Sequence, residues 1–149
     1  MSSSNVPSII SALLQAQWSL SSPSASQILW AVTRVDSALF LSGSQAYAIG
    51  TYNPASPTAV DVLSRELWQE TERVYIDVYV KVVSPTTPAT ATLTREAIKN
   101  EVYRILHLNQ LTITGVKEAY IERELNKVEG ADLVRITVQI ACVNFHVQA

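Results

Sequence analysis

Between Arg73 and Val83 the chain alternates without a break. Val74, Ile76, Val78, Val80 and Val82 fall on one side, and Tyr75, Asp77, Tyr79 and Lys81 on the other. Period two over so long a run predicts a strand with one apolar face buried and the opposite face committed to a surface that is aromatic as well as charged. The pattern returns near the C-terminus, where Val134, Ile136, Val138, Ile140 and Cys142 oppose Arg135, Thr137 and Gln139. Between the two runs, Ile98, Val102, Ile105 and Leu106 recur at helical spacing, with Thr94 as a candidate N-cap, which predicts a helix over about 94–107. Strands of this kind with a helix between them imply an α+β fold: a mostly antiparallel twisted sheet with an N-terminal helix and the second helix packed on it. Ile76, Val78, Ile98, Val102, Ile136 and Val138 have only one another to cover them and form the expected core. Arg95, Lys99 and Arg104 fall off the helical stripe and are expected to meet water or a partner.

The remaining segments carry weaker signals. Asn5 can cap a helix with Pro7 in its first turn, and Ile9, Ile10, Leu13, Leu14 and Trp18 carry its apolar stripe to about Leu20. Ser21 to Ser26 ends it. Gln27 to Phe40 fits helical spacing at Ile28, Leu29, Val32 and Val35, yet its β-branched content favours strand for part of it. Tyr47 to Tyr52 reads as a short strand and Asn53 to Pro57 as a loop. A long extended segment then runs from Val62 through Trp68 to Val83, with a bend or bulge expected at Gln69 to Glu72. Ser84 to Thr92, with two prolines and no apolar periodicity, reads as an exposed flexible arm. Leu108 to Thr114 is a connection followed by a short strand that Gly115 breaks. Val116 to Leu125 is a peripheral strand or, alternatively, a short helix, and Glu129 to Asp132 is the turn into the last strand.

At 149 residues and 48% hydrophobic content, the chain is expected to form one domain over residues 1–149. Charged residues make up 16%, below the roughly 25% usual for soluble domains, so part of the surface is expected to be covered by other subunits, although weak solubility requirements read the same way. A net charge of −2 and the lack of a Lys/Arg cluster argue against a nucleic-acid groove, while a pore of mixed charge that lets DNA pass stays allowed. Met1 to Asn5 shows no basic region before Ile9 and Ile10, and no apolar run is long enough for a bilayer, so a soluble product made in a cytosol is expected.

Catalytic chemistry finds little purchase. Cys142 lies on an apolar strand face and reads as a small buried hydrophobe; His107 and His146 sit in no motif. Glu118, Glu122, Glu124 and Asp132 are the densest acidic group, but on an alternating strand the three glutamates share one solvated face. Gly43, Gly50, Gly115 and Gly130 are isolated, no Gly-x-Ser-x-Gly elbow occurs, and one Cys with two distant His builds no zinc site. No catalytic, cofactor or metal residues are assigned. Tyr75 and Tyr79, with Asp77 and Lys81 beside them, are the candidate subunit interface, since tyrosine offers large contact area at small entropic cost; the alternative is that this face packs within the chain, beneath the N-terminal helix. Trp18, Trp30 and Trp68 are assigned to core or rim.

The order of elements, with Arg73-Val-Tyr-Ile-Asp-Val-Tyr-Val, the helix Thr94-Arg-Glu-Ala-Ile-Lys-Asn-Glu-Val-Tyr-Arg-Ile-Leu106 and the final hairpin ending Leu133-Val-Arg-Ile-Thr-Val-Gln-Ile, resembles tailed-bacteriophage tail terminator or tail completion proteins. The resemblance covers about two thirds of the chain, mainly from Tyr47 onward, and is one of pattern. It implies a non-enzymatic virion protein, made in the host cytoplasm, that forms a closed ring of its own copies, typically a hexamer. Such a ring caps the tail tube and joins it to the neck and connector proteins, with no membrane partner and no sequence-specific nucleic acid. Two other classes stay open: a cellular oligomeric module holding a small ligand on its sheet, and an enzyme using the carboxylates between Glu118 and Asp132.

Overall fold

The computed structural model describes residues 6–147; the capping role expected of Asn5 lies outside the described residues. In chain order the elements are α1 (Val6–Gln17), β1 (Ile28–Ala31), α2 (Ser37–Ser42), β2 (Tyr47–Tyr52), β3 (Thr58–Val62), β4 (Leu67–Lys81), α3 (Pro88–Leu108), β5 (Glu118–Glu129) and β6 (Leu133–Val147). One sheet runs β1-β2-β4-β6-β5, with β3 added to β4 beyond the end of β2. β1 and β2 pair in parallel, and every other pairing is antiparallel. The fold is therefore the expected mixed α+β type, with α1 and α3 on the sheet.

The apolar face of β4 and β6 packs under these two helices. Val74, Ile76, Val78, Val134, Ile136, Val138 and Ile140 are buried there with Ile98, Val102, Ile105 and Leu106 of α3 and Ile10 and Leu14 of α1. The six residues expected to form the core all lie in this cluster. Each fully buried aliphatic side chain contributes roughly 1.5–3 kcal/mol relative to exposure. Glu101 ties the end of α1 to α3: it accepts from the Ser19 N–H at 2.6 Å, from the Ser19 hydroxyl at 2.8 Å and from Arg104. These bonds, Arg104 first, hold the Glu101 acid down to about 2.

Several expectations give way. α3 begins at Pro88, not Thr94. Thr87 caps it by accepting from the Thr90 N–H at 3.2 Å, and Pro88 takes the first turn, where its missing N–H leaves nothing unpaired. The arm expected over 84–92 is thus half helix, and Thr94 sits inside, its hydroxyl donating back to the Thr90 carbonyl at 3.1 Å. Gln69 to Glu72 is not a bend: β4 runs unbroken from Leu67, paired on both sides by β3 and β6. The reversal falls earlier, at residues 63–66, where the N–H groups of Leu63 and Ser64 both donate to the Leu67 carbonyl. Val62 therefore belongs to β3, a strand not foreseen. The stretch from Gln27 is strand for part of its length, as expected, at β1, and then forms α2, whereas residues 109–117 form turns in place of a short strand. Arg95, expected to meet water or a partner, has no exposure at all: it donates to the carbonyls of Val128 and Arg135 and to Glu96 and Glu129.

Candidate functional site: the polar sheet face and the protruding hairpin

The second face of the sheet carries Tyr75, Asp77, Tyr79 and Lys81, and the structure turns most of it inward. After β1 the chain crosses this face. Asp36 caps α2 by accepting from the N–H groups of Ala38 and Leu39, and α2 lays Phe40 against Tyr79 with ring centroids 5.8 Å apart. Val35, Phe40, Ala48 and Tyr79 form a second, smaller core. Gly50 permits the crossing. A Cβ there would stand 2.8 Å from the Thr33 carbonyl oxygen and 2.9 Å from a Val35 methyl, so only glycine lets the segment lie this close to β2. Lys81 donates to the Gly43 carbonyl at 2.6 Å, with its ammonium 5.2 Å from the centre of the Phe40 ring.

Asp77, Tyr79 and Lys81 are therefore buried within the chain, and of the four residues expected at a subunit surface Tyr75 alone remains partly open. The cover comes from the α2 segment; the alternative expected, the N-terminal helix, lies on the other face. Asp77 accepts from the Thr137 hydroxyl at 2.6 Å and lies within hydrogen-bonding reach of Tyr52. Burial nevertheless raises the Asp77 carboxyl above its ordinary value, the bonds from Thr137 and Tyr52 and the charges of Arg135 and Arg34 only partly offsetting it.

Beyond α2 the same face opens into a cleft of about 700 Å³, walled by Pro54 to Ser56 and floored by Arg73, Tyr75 and Gln139. A bulge in β5 shapes it. Pairing with β6 slips between Ile121 and Arg123, so Glu122 and Arg123 both reach the cleft. Glu122 accepts from Arg73 at 3.1 Å and from Gln139 at 2.8 Å, and Arg123 donates to Gln139 at 3.2 Å. Arg73 and Glu122 are thus paired with each other, so a ligand would have to displace that bond, while Arg123 is exposed and donates to the neutral Gln139 side chain.

The bulge also corrects the acidic group. Glu118, Glu122 and Glu124 do not share a face: Glu122 binds Arg73, while Glu124 turns to the helix side, 2.9 Å from Lys99 and hydrogen-bonded by the Tyr103 hydroxyl. Asp132 sits apart in the β5–β6 turn. Among the described residues no three His, Cys, Asp or Glu side chains are grouped to hold a metal ion. Cys142 is buried on the helix side, where burial and then the charge of Glu72 push its thiol up to about 12. Trp18 and Trp30 meet edge to face at the rim, and Trp68 stacks on His146, which lies 3.0 Å from Glu70.

The surface that sequence reading missed is β3 and its turn. All of β3 is exposed, with Val62 77%, Val60 56% and the following Leu63 52% accessible. β3 pairs only with β4, so its outer edge leaves backbone donors and acceptors free among the described residues. Val60 and Val62 alternate, which is a strand signal, but with no Gly or Pro in Leu63-Ser-Arg-Glu66 the turn that would have separated β3 from β4 left no mark. No helix among the described residues is long and apolar enough to cross a membrane. Compared with protein-family models and with curated proteins, the chain matches none.

Proposed function

We propose that this chain is a non-enzymatic assembly subunit that closes into a ring of its own copies, and that, following the resemblance of its strand and helix pattern, the ring caps a phage tail tube and joins it to the neck. The observation that carries the assembly reading is the β3 hairpin. A free edge strand with Val60, Val62 and Leu63 in solvent is an aggregation hazard in a monomer and an asset in a subunit whose neighbour covers it. The low charge density points the same way. The ring, its tube and neck partners, and a place in the virion rest on the resemblance.

Light scattering across a concentration series, alone and with polymerising tail-tube protein, tests the proposal. The expected result is a closed oligomer, formed alone or on the tube, that stops tube elongation. A monomer under every condition, with tube growth unaffected, would overturn it.

The second reading is a small-ligand module using the cleft over Arg73, Tyr75, Glu122 and Gln139. Its volume suits a small molecule. The pairing of Arg73 and Gln139 with Glu122 speaks for the first reading, because that part of the cleft is already satisfied without a guest.

A further inference from the structure

The hairpin has a counterpart on the same molecule. Toward the Lys81 end of β4, α2 and the outer edge of β1 enclose a groove of about 300 Å³ lined by Leu29, Val35, Leu39 and Phe40, with Arg34 and Asp36 at its rim. Leu29 and Leu39 are exposed there, Leu39 at 71%. Among the described residues β1 is a sheet edge, paired only with β2. The hairpin tip carries Leu63 beside Arg65 and Glu66, all exposed, at the Leu67 end of β4. Groove and tip thus combine aliphatic surface with one acid and one base each. At roughly 3.3 Å per residue, the length of β4 separates its two ends by about 45 Å.

From this pairing we infer that the hairpin tip of one copy seats in the β1–α2 groove of the next, Leu63 and Val62 entering between Leu29 and Leu39, Glu66 meeting Arg34 and Arg65 meeting Asp36. The inference rests on the assembly reading and names its contact. A tip and a groove at opposite ends of one strand cannot satisfy each other within a chain, so the contact joins copies. Repeated head to tail, the contact is heterologous and closes a ring when its rotation divides a full turn; exchanged reciprocally it would stop at a dimer, and cross-linked species larger than a dimer mark the first arrangement. It also accounts for two apolar exposures with one event, and places the unpaired edges of β3 and β1 at the same junction.

The test is cross-linking in the full chain. Leu63→Cys and Leu39→Cys placed together should give a ladder of disulfide-linked copies on mild oxidation, while Leu63→Cys with Leu108→Cys, whose partner lies at the end of α3, should give none. Cys142 is buried and stays silent. Leu63→Asp should weaken association about thirtyfold or more, as for a central interface anchor. Glu66→Arg and Arg34→Glu should each weaken it and together restore it. Circular dichroism of Leu63→Asp should match wild type, since the residue touches no core. An oligomer that forms with Leu63→Asp unchanged in mass and with no Leu63–Leu39 cross-link overturns this contact and leaves the assembly reading standing. A wild-type chain that is monomeric alone and with tail tubes overturns both.

Discussion

Thr137 donates its hydroxyl to Asp77 at 2.6 Å across the β4–β6 pair, and both residues are buried. A carboxylate is thereby kept in a site that resists its charge. A raised acid in the folded state means that the native chain holds a proton the unfolded chain would release. Stability is then lost as pH rises from the ordinary carboxylate value through the raised one, and the loss is complete above it.

Asp77→Asn keeps an acceptor for Thr137 and removes the charge. The variant should gain stability relative to wild type as pH rises from the acid range toward neutrality, with the difference shrinking below the ordinary carboxylate range. Urea unfolding at a series of pH values checks this. A difference independent of pH would refute the assignment of the buried charge.

Arg95 should act as a structural peg. Arg95→Ala leaves the carbonyls of Val128 and Arg135 without their donor, at roughly 1–3 kcal/mol each if no water replaces it, and opens a void between α3 and the β5–β6 hairpin. Arg95→Met fills the void and should recover part of the loss. Denaturant midpoints of the two variants decide: equal destabilisation would mean that packing contributes nothing there.

The start of α3 can be located by two threonines. Thr87→Ala should cost about 0.5–2 kcal/mol through the lost N-cap. Thr94→Ala, inside the helix at a half-buried position, removes only a hydroxyl bonded back to the Thr90 carbonyl and should fall within about 0.5 kcal/mol of wild type. Thermal melts that rank them the other way would move the helix start back to Thr94.

Cys142 should be unreactive in the native state. With its thiol pushed up to about 12 by burial and by Glu72, a disulfide reagent at mildly alkaline pH should modify it only after denaturation. Rapid labelling of the folded chain would show that β6 opens at this point.

The legible part of the fold was the part whose cover is also periodic. Val74 to Val80, Val134 to Ile140 and the α3 stripe face one another, so each pattern confirmed the next and the core residues were named from spacing alone. The opposite face misled because its cover is irregular and distant in sequence: Val35 and Phe40 shield Tyr79 from a segment whose spacing is helical while its β-branched content favours strand. The one mark of that crossing was Gly50, a lone glycine inside a strand, which signals close backbone approach. Thr87 and Thr94 are both competent caps, and the two prolines drew the reading toward a loop, although Pro88 at a first turn fits a helix start as well. The β5 bulge, which sends Glu122 to one face and Glu124 to the other, breaks an alternation by a single residue and leaves no trace in residue type.

The β3 strand and its turn supply no side chain to either core cluster, yet they share β4 with residues that do. Under the proposed contact, folding and gripping are written on successive stretches of one strand and its neighbour. Changes between Val60 and Glu66 escape the stability threshold that guards Val74 to Val80, so a contact made there, as proposed, could be refitted to a different neighbour by rewriting a few exposed positions, with no rebuilding of the body that carries them.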